Sequence, residues 1–150
     1  MKTPMTLAFL AAAALAAGSA IAHDDKSLDA TKAPNGGQLR MAGDYHFELV
    51  LVRDAKEPKD NPMVVYVTDH ADKKVPTQGA TGKVTLVGKG GFKAEAALAP
   101  DGDNRLKGTA RYAFDPSLVA VVQVTIAGKK AEQARFTPLA AKAAADKHKH

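Results

Sequence analysis

The 150-residue chain contains no cysteine and no tryptophan. Without cysteine, thiolate metal sites, thiol nucleophiles and dithiol relays are excluded, and the fold must rest on its core rather than on cross-links. Aromatic residues are scarce, with three tyrosines and five phenylalanines. That is too few for a base-stacking platform or an aromatic sugar cradle. No apolar run approaches the about 20 residues that span a bilayer. Charge of one sign is not in marked excess: 21 Lys and Arg stand against 16 Asp and Glu, a formal net charge of +5. The two signs are interleaved until the C-terminal tail, which describes a solvated surface and not a nucleic-acid patch. Catalytic signatures are missing too. There is no H-E-x-x-H, no Walker loop and no nucleophile elbow. Gly88-Lys89-Gly90-Gly91 opens no helix, so it reads as a hairpin turn and not as a phosphate cradle. Asp101 and Asp103 flank Gly102 as turn residues, without the twelve-residue pattern and terminal Glu of a calcium loop. An enzyme is therefore not expected.

What the chain does have begins at its N-terminus. Met1-Lys2 is positively charged, Thr6 to Ala17 is apolar, and Ala20-Ile21-Ala22 is a small-x-small triplet. This is the pattern of a secretory signal peptide over residues 1–22, cleaved after Ala22. Cleavage would leave His23 as the first residue of the exported chain, with a free α-amine beside its imidazole. Membrane contact is expected only through the cleaved segment.

The remainder is long enough for one domain with a core. Residues 23–33 are polar and predict a flexible leader. Pro34-Asn35-Gly36-Gly37 is a turn cluster that opens the body. Asp44–Arg53 alternates with period two: Tyr45, Phe47, Leu49 and Leu51 on one face, His46, Glu48, Val50 and Val52 on the other. Further strands are predicted at Gln38–Met41, Pro62–Thr68, Gly79–Val87, Phe92–Leu98, Leu106–Phe114, Leu118–Ile126 and Ala131–Phe136, with a short edge at Lys74–Pro76. The fold class that follows is all-β: a single immunoglobulin-like antiparallel β-sandwich of seven to eight strands over residues 34–138. Residues 139–150 form an Ala, Lys and His tail that is flexible or partly helical over Leu139–Lys147.

Two blocks of sequence carry a resemblance. Ala33–Val52 reads APNGGQLRMAGDYHFELVLV, and Val64–Leu86 reads VVYVTDHADKKVPTQGATGKVTL. Together with GDNRL at Gly102–Leu106 and ARFTP at Ala134–Pro138, they resemble small exported Gram-negative proteins. Those proteins are similar to the N-terminal module of periplasmic adaptor proteins in heavy-metal efflux pumps. The second block also resembles β-sandwich modules of the YtkA-like and carboxypeptidase-regulatory type. The resemblance implies a periplasmic domain that binds or handles a metal, copper among the candidates, with an efflux-pump component as a partner. The chain departs from the pattern at Asn35, which stands where an A-P-H-G-G opening would place a histidine.

With cysteine absent, the five histidines set the metal argument, since neutral imidazole suits Cu(II), Zn(II) and Ni(II). His23 offers two nitrogens, with Asp24 and Asp25 beside it. His46 lies mid-strand on the face of Glu48, where a solvent-facing residue would equally fit. His70 lies in Asp69-His70-Ala71-Asp72, which an ordinary turn would also explain. Whether His46 and His70 meet depends on a strand register that the sequence leaves open. His148 and His150 form an accessory H-x-H tail whose neighbouring lysines repel cations. The expected function is a periplasmic, non-catalytic protein that binds a divalent transition metal, copper first, in connection with metal resistance. The alternative is an envelope protein-protein interaction module that docks through an exposed strand edge and has no metal role.

Overall fold

The structure, a computed structural model, describes residues 25–140. A short helix, α1 (Asp25–Ala30), is followed by eight antiparallel strands. These are β1 (Gln38–Ala42), β2 (Tyr45–Leu51), β3 (Lys59–Asp69), β4 (Thr81–Val87), β5 (Lys93–Pro100), β6 (Arg105–Tyr112), β7 (Val119–Thr125) and β8 (Ala131–Phe136). They form one sheet in the order β1-β2-β3-β6-β5-β4-β7-β8. The β4-β5-β6 meander is flanked by β7 beside β4 and β3 beside β6, so returning strands close a Greek key on each side.

Period-two alternation builds the core. On β3, Asn61, Met63, Val65 and Val67 point inward. Register sets Met63, Val65 and Val67 against Leu51, Leu49 and Phe47 of β2. On the far side, Val84 and Leu86 of β4 meet Val122 and Ala120 of β7, which in turn meet Ala134 and Phe136 of β8. Gly108 on β6 allows β5 to come close, because a Cβ there would collide with the Ala97 carbonyl.

The all-β class and the eight strands are as the sequence predicts, but the strands do not divide into two separate face-packed sheets. β5 belongs to both halves: it pairs with β4 up to Leu98, then with β6 at Ala99 and Pro100. The end strands β1 and β8 also face each other. Thr137 donates its N–H to Gln38 Oε1 at 2.8 Å, and a Cβ on Gly43 would strike the Glu132 carboxylate. Gln38 beside Thr137 and Gly43 beside Glu132 describe an antiparallel alignment closed by side chains instead of a backbone ladder. The result is a nearly closed, barrel-like sheet.

Part of the leader is structured. Leu28 of α1 is buried along with Ala33, and Asp29 pairs with Arg40 of β1 at 2.7 Å. Arg40 is buried and needs that countercharge. At the other end, Leu139 is buried in the core from a turn, not from the start of a helix. Residues 141–150, which carry the rest of the expected tail helix, lie outside the described residues, as does the expected signal segment. Lys74 makes an isolated bridge to Thr68 where a short edge was expected. β3 begins earlier than its apolar run, at Lys59, with Pro62 inside it. At that point β3 has moved past the end of β2, and the Tyr112 hydroxyl fills the gap. It donates to Pro62 O at 2.6 Å and accepts the Val52 N–H at 3.0 Å. A proline is tolerated where the ladder is one-sided.

Candidate functional site

The site lies where the β1-β2 hairpin meets the end of β3. Gly43 and Asp44 are the two loop residues between Ala42 and Tyr45. Gly43 has φ of 58° and Asp44 stays out of the left-handed region, the pattern of a type II′ hairpin with glycine first. This tight turn fixes register: Met41 pairs with His46, and Arg40 with Phe47. Phe47 faces the core, so His46 and its partner Met41 face outward. On its other side His46 pairs with Thr68 of β3.

β3 ends in a turn organised by Asp69. Its Oδ1 accepts the N–H groups of Ala71 at 2.8 Å and Lys73 at 3.0 Å. The Lys73 N–H above all, with that of Ala71, holds the Asp69 carboxyl below the usual carboxylate range, and the charge of Lys73 acts in the same direction. Asp72 has φ of 60°, a conformation in which aspartate is among the tolerated residues. The turn folds His70 back over the hairpin.

The two histidines therefore converge. His70 Nδ1 is 3.2 Å from His46 Nε2. The rings meet edge to face, with centroids 4.9 Å apart and planes at 88°. His70 Nε2 is 3.0 Å from the Gly43 carbonyl. A carbonyl only accepts, so we assign the hydrogen of His70 to Nε2, which leaves a lone pair on Nδ1. That lone pair faces His46 Nε2. On the opposite side of the His46 ring, Nδ1 lies 3.7 Å from Asp72 Oδ1. The His46 side chain is 11% exposed and that of Asp72 88%; His70 is also exposed.

This spacing suits a shared metal ion. Metal–imidazole bonds of about 2.0–2.1 Å, at angles between square-planar and tetrahedral, set the two nitrogens roughly 2.9–3.4 Å apart. The outer nitrogen of His70 has the backbone carbonyl partner that metal-bound imidazoles take, and the Asp72 carboxylate lies 3.7 Å from that of His46. Two ligands are not a closed site. Among the described residues no group of three or more His, Cys, Asp or Glu is arranged to hold a metal, and Asp72 lies behind His46 instead of beside its inner nitrogen. Of the five expected ligands, His46 and His70 are brought together, while His23, His148 and His150 lie outside the described residues.

The sequence reading missed Glu48. It shares the outward face of His46 yet is 3% exposed. Its carboxylate accepts Asn35 N at 2.9 Å, Asn35 Nδ2 at 3.0 Å and Gly37 N at 2.9 Å. Asn35, noted for replacing a histidine, is thus a donor that ties the opening turn to β2. Gly37 allows this approach, since a Cβ there would meet the Leu49 carbonyl. The signal was present in an isolated acidic residue inside an apolar strand, preceded by a turn rich in N–H groups. A separate cleft of about 250 Å³ lies near the opposite end of β1, lined by Leu28, Gln38, Arg53 and Thr137 among others. It contains no histidine. No protein-family model, curated protein or solved structure matches the chain.

Proposed function

We propose that this is an exported, non-catalytic protein that binds a transition metal in the periplasm, copper first, and serves metal resistance alongside an efflux component. The single observation that supports the reading most is the approach of His70 Nδ1 to His46 Nε2 at 3.2 Å, with the outer nitrogen of His70 on the Gly43 carbonyl. Residues 24 apart in sequence are brought nitrogen to nitrogen by the hairpin register and the Asp69 turn. His23 at the processed N-terminus is the proposed further ligand set, and His148 and His150 are accessory. The alternative, docking through a bare strand edge, has less in its favour, because the two end strands face each other.

The test is calorimetric titration of Cu(II), then Zn(II), into the exported chain starting at His23 and into the same chain extended by one methionine. Binding tighter than about 10⁻⁶ M in both, lost in a His46→Ala/His70→Ala double variant, is the expected result. Tight binding lost on extension alone would move the site to His23. No binding tighter than about 10⁻⁴ M in either chain would overturn the metal reading.

A further inference from the structure

We infer that Met41 is the third protein donor of the His46-His70 site, and that its thioether directs the site to Cu(I). The inference rests on the metal reading above and identifies which ion and which oxidation state that site holds. Met41 is the direct cross-strand partner of His46. Opposite residues on one face carry Cβ atoms about 4.5–5.5 Å apart, and the three rotatable bonds of methionine give its sulfur freedom to turn toward the imidazole. The two methionines within the described residues differ. Met63 is fully buried in the core, as a core methionine should be. Met41 is only half-buried, on the outward face of a strand whose inward residues are Arg40 and Ala42. A flexible thioether is a poor choice for an outward strand position, where β-branched residues fit the pleat better.

The donor set then selects the ion. Two neutral imidazoles and a thioether carry no negative charge. The nearby carboxylates are turned elsewhere: Asp72 faces the outer nitrogen of His46, and Asp69 Oδ1 accepts the Ala71 and Lys73 N–H groups. Lys74 is bridged to Thr68, the other cross-strand partner of His46, and adds positive charge to the neighbourhood. A soft monovalent ion prefers the sulfur of such a donor set. Hard and borderline divalent ions draw on carboxylate or water to complete their shells and gain little from a thioether.

The experiment is anaerobic competition for Cu(I), kept reduced with ascorbate, between the exported chain and a chromogenic Cu(I) chelator, with Zn(II) titrated in parallel. Met41→Leu keeps the apolar volume, and circular dichroism checks its fold. The expected result is a loss of at least about tenfold in Cu(I) affinity for Met41→Leu, with Zn(II) changed less than about twofold. His46→Ala and His70→Ala should weaken both ions. X-ray absorption of the Cu(I)-loaded chain should show a sulfur neighbour at about 2.3 Å that Met41→Leu removes. Unchanged Cu(I) affinity and no sulfur neighbour, while the histidine variants still lose metal, would overturn the role of Met41 and leave the histidine pair standing. Indifference of Cu(I) to all three substitutions would overturn both.

Discussion

Two polar residues on the outward face of β2, Glu48 and His46, are two positions apart and have opposite fates. Glu48 is sealed: its carboxylate takes three donors from the Asn35-Gly37 turn and is shut off from water. His46 meets His70 nitrogen to nitrogen, beside an exposed turn. One site has its hydrogen bonding complete within the protein. In the other, two ring nitrogens share a single hydrogen where an ion would use both lone pairs. A carboxylate enclosed by three donors is part of the fold, while two imidazole nitrogens beside an exposed turn can exchange their shared hydrogen for an ion.

The largest way to break the comparison is at Glu48. Glu48→Leu leaves the Asn35 and Gly37 N–H groups without their acceptor and should cost about 3 kcal/mol of stability in urea unfolding. Metal affinity of the folded fraction should stay within about twofold of the parent. A loss of metal binding at full stability would mean that the two sites have been assigned the wrong way round. His70→Ala is the converse. It should weaken metal binding by about a hundredfold, near 2.7 kcal/mol, while stability moves by less than about 0.5 kcal/mol, as for an exposed turn residue. The pair of variants, measured by both assays, separates a structural cluster from a binding one.

The two sites also differ in how far the sequence discloses them. The strands were legible because Phe47, Leu49 and Leu51, or Met63, Val65 and Val67, alternate with outward residues. Alternation is the same in a sandwich and in a closed sheet, so the closure was not legible. It depends on β5 changing partners at Ala99 and on Gln38 meeting Thr137, 99 residues away. The helix α1 was hidden in a polar leader, because it is held by Leu28 burial and by the distant Arg40 and not by its own propensity. The five histidines were visible as candidates. The convergence of His46 with His70 was not, since the long connection between β2 and β3 has no turn chemistry to set register. The Gly43-Asp44 turn does set register, so the pairing of Met41 with His46 was within reach of the sequence once that turn was taken as a two-residue hairpin.

A smaller effect sharpens the binding side. Asp72 lies behind the outer nitrogen of His46. Asp72→Asn keeps a residue that tolerates positive φ and removes only the charge. Copper affinity should fall by up to about tenfold, the range seen when an outer-nitrogen partner is lost. Equal affinity in the two proteins would show that the carboxylate does not orient the ring.

The smallest expected effect concerns the turn that aims His70. Asp69 is held ionised chiefly by the Lys73 N–H, so its carboxyl titrates lower in the folded chain than in the unfolded one. A depressed carboxyl adds stability that is present above its unfolded value near 3.8 and disappears as pH falls through the lower folded value. Asp69→Asn retains the acceptor oxygen for Ala71 and Lys73 and loses the charge. Its denaturant midpoint should match the parent below that window and fall slightly behind it at neutral pH, flattening the acid limb. If the parent and the variant lose stability in parallel across the acid range, the turn owes nothing to the charge. The aim of His70 then comes from hydrogen-bond geometry alone, and Asp69→Asn should bind copper as the parent does.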